Sequence, residues 1–194
     1  CDQACDSILT IGGDGTRLHA ARSAYEGQKP LRGINIGRLG FLTIVESDER
    51  DKLRRLPAGD YMVEQRTMLC AKPEDSPECF ALNDVVLFKE SAERSISLNI
   101  YCDDILVSRF RGDGIICATP TGSTAYSLSA GGPILDATLG GLVVTQICAH
   151  IVQTPPLVFS ASRVLTAVPT GIAEERVIVI CDGAKGCVLN PGQK

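Results

Sequence analysis

One stretch limits the fold of this chain more than any other: Gly112 to Pro133, GDGIICATPTGSTAYSLSAGGP. An apolar run of strand type, Ile115 to Ala118, leads into Thr119-Pro120-Thr121-Gly122-Ser123-Thr124. Pro120 stops the strand, and Gly122 permits a backbone turn closed to residues with a Cβ. A short helix is predicted from about Thr124 to Ala130, ended by Gly131, Gly132 and Pro133. The hydroxyls before it are expected to cap that helix and leave its first N–H groups facing outward, where an anionic or polyhydroxyl ligand is favoured. Five Ser or Thr side chains between Thr119 and Ser127 surround one aromatic ring, Tyr126. The stretch reads as a ligand-holding turn.

The remainder of the chain can supply the core such a turn needs. With 194 residues and 44% hydrophobic content it can bury one large core or two small ones. A net charge of −4 without any basic run argues against a nucleic-acid partner. No apolar stretch is long enough to span a membrane and no signal peptide is visible, so a cytoplasmic protein without a membrane partner is expected. Nine Cys are present, none in a CxxC pair, and the two His (His19, His150) are far apart in sequence. Buried reduced thiols are expected, rather than a disulfide framework or a zinc site.

In chain order, Ser7 to Ile11 is a strand-like run that ends in Gly12-Gly13-Asp14-Gly15-Thr16. Helical spacing begins at Thr16, with Leu18, Ala21, Arg22 and Tyr25 three and four apart. Strand, glycine turn and helix opening form the phosphate-cradling arrangement of α/β proteins. No Gly-Lys-Ser/Thr follows, so this is not a Walker loop, and Leu18 stands where a dinucleotide fingerprint needs glycine. It offers instead a carboxylate, Asp14, at the carboxyl end of a strand. Leu31 to Ile44 is a second strand-like segment broken by Gly37 and Gly40, and Ser47 to Leu56 reads as a charged surface helix stopped by Pro57.

Beyond Pro57 strands dominate: Tyr61 to Lys72, Phe80 to Lys89, Ser95 to Tyr101, Ile105 to Arg111, Ile115 to Ala118, Leu142 to Cys148, Val164 to Val168 and Val177 to Cys181. Ser95 to Tyr101 alternates strictly, which predicts a half-buried antiparallel strand, and Asp103-Asp104 a hairpin turn. The expected organisation is α/β plus all-β. Residues 1–57 form a Rossmann-like α/β domain, and residues 58–194 a β-rich, sandwich-like domain whose last residues return to the first. Two polar interruptions mark the β-rich part. Asn83-Asp84 breaks an apolar run, and Arg111-Gly112-Asp113-Gly114 puts an acid at the mouth of the Ser/Thr-rich turn.

With these pieces in place, the chain resembles the NAD kinase family, over most of its length and with the motifs in the family's order. Gly12 to Thr16 matches GGDGT; Asn35 to Leu42 (NIGRLGFL) matches the segment after it, Phe41 included. Leu82-Asn83-Asp84 sits where the family has Asn followed by an acid. Arg111 to Pro133 is close to the second conserved block, and Ile147 to His150 is similar to ICPH. GGDGT alone also resembles lipid kinases of the diacylglycerol and sphingosine type; together with Asn83-Asp84 and TPTGSTAY it points away from them.

The resemblance implies ATP-dependent phosphorylation of the 2′-hydroxyl of the adenosine ribose of NAD, giving NADP. It implies Asp14 as the catalytic acid–base group, with Gly15 and His19 beside it. Asn83 and Asp84 would read the adenine and ribose. Arg94, Arg111, Asp113, Thr121, Thr124, Ala125, Tyr126 and Ser129 would complete the NAD contacts. Mg²⁺, or another divalent cation, would ride on the ATP phosphates, so no dedicated protein metal ligands are expected. A homodimer or homotetramer is implied, because the family shares its sites between subunits. The chain departs from the family pattern in three places. It begins almost at the GGDGT strand, so the first domain is expected to be incomplete. Ala149 replaces the proline of ICPH, and Ala184 stands where Gln often follows Asp-Gly. Two rival readings stay open: a lipid kinase sharing GGDGT, and a non-catalytic NAD-binding module.

Overall fold

The change in sequence texture near the end of the first third separates two different ways of burying apolar surface. The computed structural model describes residues 5–35, 45–46, 50–150 and 155–194. These fall into two compact units, residues 1–65 and 66–194.

In the first unit, strand β1 (Ile8–Ile11) is followed by helix α1 (Asp14–Glu26), β2 (Leu31–Asn35), β3 (Val45–Glu46) and a 3₁₀ segment at Arg50–Arg55. β1 and β2 run parallel, Ile8 opposite Leu31, and β2 pairs in parallel with β3. A strand, a crossing helix and a parallel strand make this part α/β. The link between β1 and α1 depends on Gly12, whose φ is +154° and whose missing Cβ would collide with the Thr16 hydroxyl. α1 begins at Asp14, two residues before the predicted start, so Asp14 occupies its first turn and complements the positive end of the helix dipole. It buries Ala21 and Ala24, while Tyr25 of the predicted stripe is exposed. The predicted surface helix at 47–56 is a 3₁₀ segment where it is described.

The second unit is built from β4 (Leu69–Ala71), β5 (Cys79–Ala81), β6 (Asp84–Lys89), β7 (Ile96–Cys102), β8 (Ile105–Gly112), β9 (Gly114–Ala118), α2 (Tyr126–Ser129), β10 (Gly141–Ile147), β11 (Leu157–Ser160), β12 (Leu165–Pro169), β13 (Val177–Cys181) and β14 (Ala184–Leu189). A six-stranded sheet has the order β11-β10-β9-β6-β13-β14, a three-stranded sheet the order β12-β7-β8, and β4 pairs with β5. All the pairings in this unit are antiparallel.

The sequence patterns of these strands follow from which faces they bury. β7 alternates because only one face meets the core, through Ile96, Leu98 and Ile100. β6, β9 and β10 are nearly continuous apolar runs because both faces are covered. Val85, Leu87, Ile115 and Val144 join the β7 and β8 side chains in one core. Val86, Ile116, Ala118, Val143 and Ile147 pack on the other face beneath Ala130 and Leu135. The Asp103-Asp104 turn forms as predicted, with φ of +47° and +66°, the left-handed pair a tight hairpin needs.

Several expectations change. Tyr61 to Met68 is not strand; only Leu69–Ala71 of that segment pairs. Phe80 to Lys89 is two strands interrupted at Leu82-Asn83. β11 and β14 are additional strands. The last residues hydrogen-bond within the second unit, where the Glu74 N–H donates to the Lys194 carbonyl at 2.6 Å. Cys79 and Cys181 form a disulfide rather than two reduced thiols. They sit 102 residues apart in sequence, and sequence spacing carries no sign that β5 and β13 become neighbours.

Candidate active site

In the first unit, Asp14 stands at the carboxyl end of β1, where parallel sheets present ligands. A Cβ added at Gly13 or Gly15 would meet nothing within 4 Å, so the main chain on both sides of Asp14 is approachable. His19, one turn further along α1, is exposed. Phe41 lies outside the described residues.

In the second unit the candidate residues divide between the two ends of β6 and β9. Asp84 is the first residue of β6 and pairs with Ala118, the last of β9. Asn83 and Asp84 therefore meet the turn that begins at Thr119. At the other end lie Lys89, Arg111, Asp113 and the loop carrying Arg94. Four residue steps of strand separate these ends, about 14 Å.

The Asn83 end is held from two sides. The Asp182 carboxylate, in the β13–β14 turn, accepts hydrogen bonds from the main-chain N–H groups of Leu82 (2.7 Å), Asn83 (2.8 Å) and Asp84 (3.1 Å). The Asp182 N–H donates to the Asp84 carbonyl at 3.0 Å. From the opposite side the Thr119 hydroxyl donates to the Leu82 carbonyl at 2.6 Å, and the Thr119 N–H to the Asn83 carbonyl at 2.9 Å. Gly122 packs so closely that a Cβ there would strike the Asn83 carbonyl.

Two polar side chains at this end are buried or nearly so. Asn83 Oδ1 is buried without a hydrogen-bond partner among the described residues, which is costly unless something else donates to it. Asp84 is only 6% exposed. Burial first, and then the Asp182 charge, push its carboxyl up to about 6. Burial and Asp84 likewise push the Cys117 thiol up to about 12.

The hydroxyl-rich turn forms, with a different division of labour from the one expected. A 3₁₀ turn at Gly122–Thr124 precedes α2; the residues at the two N-caps make no side-chain cap bond, but the Thr119 hydroxyl accepts from the Gly122 N–H at 3.1 Å. The hydroxyls are spent on the protein itself: Ser123 donates to the Pro120 carbonyl (2.7 Å) and Thr124 to the Thr121 carbonyl (3.2 Å) within the turn, and Ser127 pairs with Thr145 of β10 (2.8 Å). These bonds stiffen a segment with little regular structure. Thr121 is buried, whereas Tyr126 is 43% exposed and Ser129 is exposed. Tyr126, Ser129 and half-buried Ala125 form the accessible rim.

At the far end, Lys89 and Asp113 form a half-buried ion pair at 2.7 Å. Arg111 donates to the Ser95 hydroxyl and lies 3.8 Å from buried Glu175. Arg94 is exposed. Sequence reading missed Thr119 and Asp182 as site-shaping groups. The Asp-Gly pair after an apolar run does signal a hairpin turn, but nothing local shows a carboxylate reaching residues a hundred positions earlier.

A sequence profile described as the ATP-NAD kinase N-terminal domain matches residues 1–61, and one described as the ATP-NAD kinase C-terminal domain matches residues 82–194. The chain belongs to the NAD kinase family. It is 42% identical to an NAD kinase of Ruminiclostridium cellulolyticum, over 97% of this chain and 68% of that protein. It is 40% identical to one of Moorella thermoacetica, over 97% of this chain and 62% of that protein. Among solved structures, yeast NADH kinase complexed with NADH superposes with a TM-score of 0.85 at 30% identity, over 97% of this chain and 57% of that one. An NAD kinase from Archaeoglobus fulgidus in complex with ATP gives 0.83 at 28% identity, over 98% and 73%. This NAD kinase family chain thus spans about two-thirds of the length of its bacterial relatives. No described helix is long and apolar enough to cross a membrane.

Proposed function

We propose that this chain transfers the γ-phosphoryl group of ATP to the 2′-hydroxyl of the adenosine ribose of NAD, a phosphotransfer to an alcohol acceptor that yields NADP and ADP. The observation that carries the reading is the pair Asn83 and Asp84. One offers a buried acceptor without a partner among the described residues, and the next residue a buried carboxyl at the head of β6. An exocyclic amine donates to Asn83 Oδ1, and a ribose hydroxyl donates to Asp84. Tyr126 and Ser129 flank the nucleotide, with Thr121, Thr124 and Ala125 shaping the turn beneath it.

In the transfer, Asp14 takes the proton of the 2′-hydroxyl as its oxygen bonds to the γ-phosphorus. The bond from that phosphorus to the bridging oxygen breaks, and ADP leaves. Gly15 and His19 adjoin this group. Among the described residues no cluster of three or more His, Cys, Asp or Glu stands ready to hold a metal ion. In this reading the divalent cation rides on the ATP phosphates, as part of the substrate. The two separated ends of β6 and β9 fit a homodimer or homotetramer in which each NAD site draws Arg94, Arg111 and Asp113 from a second copy. Incubation with NAD, ATP and Mg²⁺ tests the proposal: NADP should accumulate, with no phosphorylation of diacylglycerol. Tight NAD binding without NADP formation would instead describe a binding module.

A further inference from the structure

Between β5 and β6 the chain leaves the sheet for two residues, and its polar main-chain groups must find partners elsewhere. All six do. The N–H groups of Leu82, Asn83 and Asp84 go to the Asp182 carboxylate, the Leu82 and Asn83 carbonyls to Thr119, and the Asp84 carbonyl to the Asp182 N–H. Three successive N–H groups converging on one carboxylate is more than a hairpin turn requires. Asp182 and Gly183, with φ of +47° and +79°, would close the β13–β14 turn without it. What the arrangement does accomplish is to fix the peptide planes from which the Asn83 and Asp84 side chains project. We infer that Asp182 is a positioning residue for NAD recognition, holding Leu82–Asp84 so that Asn83 Oδ1 and the Asp84 carboxyl meet the nucleoside at fixed angles.

This inference rests on the reading that Asn83 and Asp84 contact NAD. Asp182 touches no substrate in it and acts through the main chain. A second consequence follows from proximity. The titratable groups facing Asp84 are Asp182 and the Cys117 thiol, and the thiol stays protonated through the neutral range. Removing the Asp182 charge therefore eases ionisation of Asp84.

The test compares the parent chain with Asp182→Ala and Asp182→Asn, by steady-state kinetics and NAD titration at temperatures where circular dichroism shows each protein folded. Asp182→Ala should raise KM for NAD at least tenfold, with kcat and KM for ATP within threefold. Asp182→Asn retains one carbonyl oxygen for the N–H groups and should recover most of that loss. It should also move the acid midpoint of NAD binding to lower pH. If Asp182→Ala does not fold, the Asn variant decides through its midpoint and its KM-to-kcat split. A parent that binds NAD while both folded variants match its KM and midpoint would overturn the positioning role alone. Equal losses in kcat and KM for ATP would assign Asp182 a merely structural role. A parent that fails to bind NAD would overturn both this inference and the proposed function.

Discussion

Asp84 sets stability against binding. Its carboxyl, near 3.8 in an unfolded chain, is pushed up to about 6 in the fold. The protonated acid is thus the form the folded protein prefers, so the contribution is fully present below about pH 4 and lost as pH rises through about 6. Asp84→Asn removes that penalty. Its melting temperature should exceed the parent's at pH 8 and converge with it near pH 4, as differential scanning calorimetry would read. NAD affinity should fall by about 1.5–3 kcal/mol, the scale of a hydrogen bond to a charged group. A lower melting temperature at pH 8 with unchanged affinity would make Asp84 a structural residue. Asp14→Asn should lower turnover by roughly 10²- to 10⁴-fold, the usual share of a general base, and disturb NAD binding much less.

At the level of elements, the turn from Thr119 to Ser129 is tied to Leu82 through the Thr119 hydroxyl and braced within itself by Ser123 and Thr124, and Gly122 is the point of closest approach. Gly122→Ala would drive a methyl group into the Asn83 carbonyl, backbone against backbone, with no flexible side chain to yield. A cost of about 1–3 kcal/mol from overpacking is expected in chemical denaturation. Weaker NAD binding should accompany it, because the displaced segment carries Asn83. The same elements show what could be read from sequence. Ile96, Leu98 and Ile100 mark β7 by alternation, and Ile115–Ala118 mark a strand by being apolar throughout. Tyr61 to Met68 misleads through β-propensity alone: Met62 is 96% exposed and the segment has no strand partner among the described residues. β14 escaped notice because Lys185 and Gly186 interrupt its apolar pattern at a sheet edge. Asn83 and Asp84 stood out because polar residues break an apolar run. Their clamp did not, because Asp182 is local to a different strand.

At the scale of the whole molecule, the second unit is closed on itself by the Cys79–Cys181 bond, which spans 102 residues. Among the eight cysteines of the described residues, alkylation under denaturing, non-reducing conditions should leave two unmodified, and peptide mapping should identify them as this pair. Reduction should lower the melting temperature, since loops of that size constrain the unfolded chain most, typically by about 2–4 kcal/mol. The strand order has a different consequence. β6 and β9, whose ends carry Asp84 and Ala118, each have a neighbour on both sides and a covered surface on both faces. In hydrogen–deuterium exchange the amides of Val85, Val86, Ile116 and Cys117 should open only with the whole unit, at a rate that nucleotide barely changes. The amides around Ala125–Ala130, on the accessible rim, should slow sharply when NAD is added. The slowest-opening part of the molecule would then act as a fixed anvil, and recognition would be recorded as a local change in exchange at its edge.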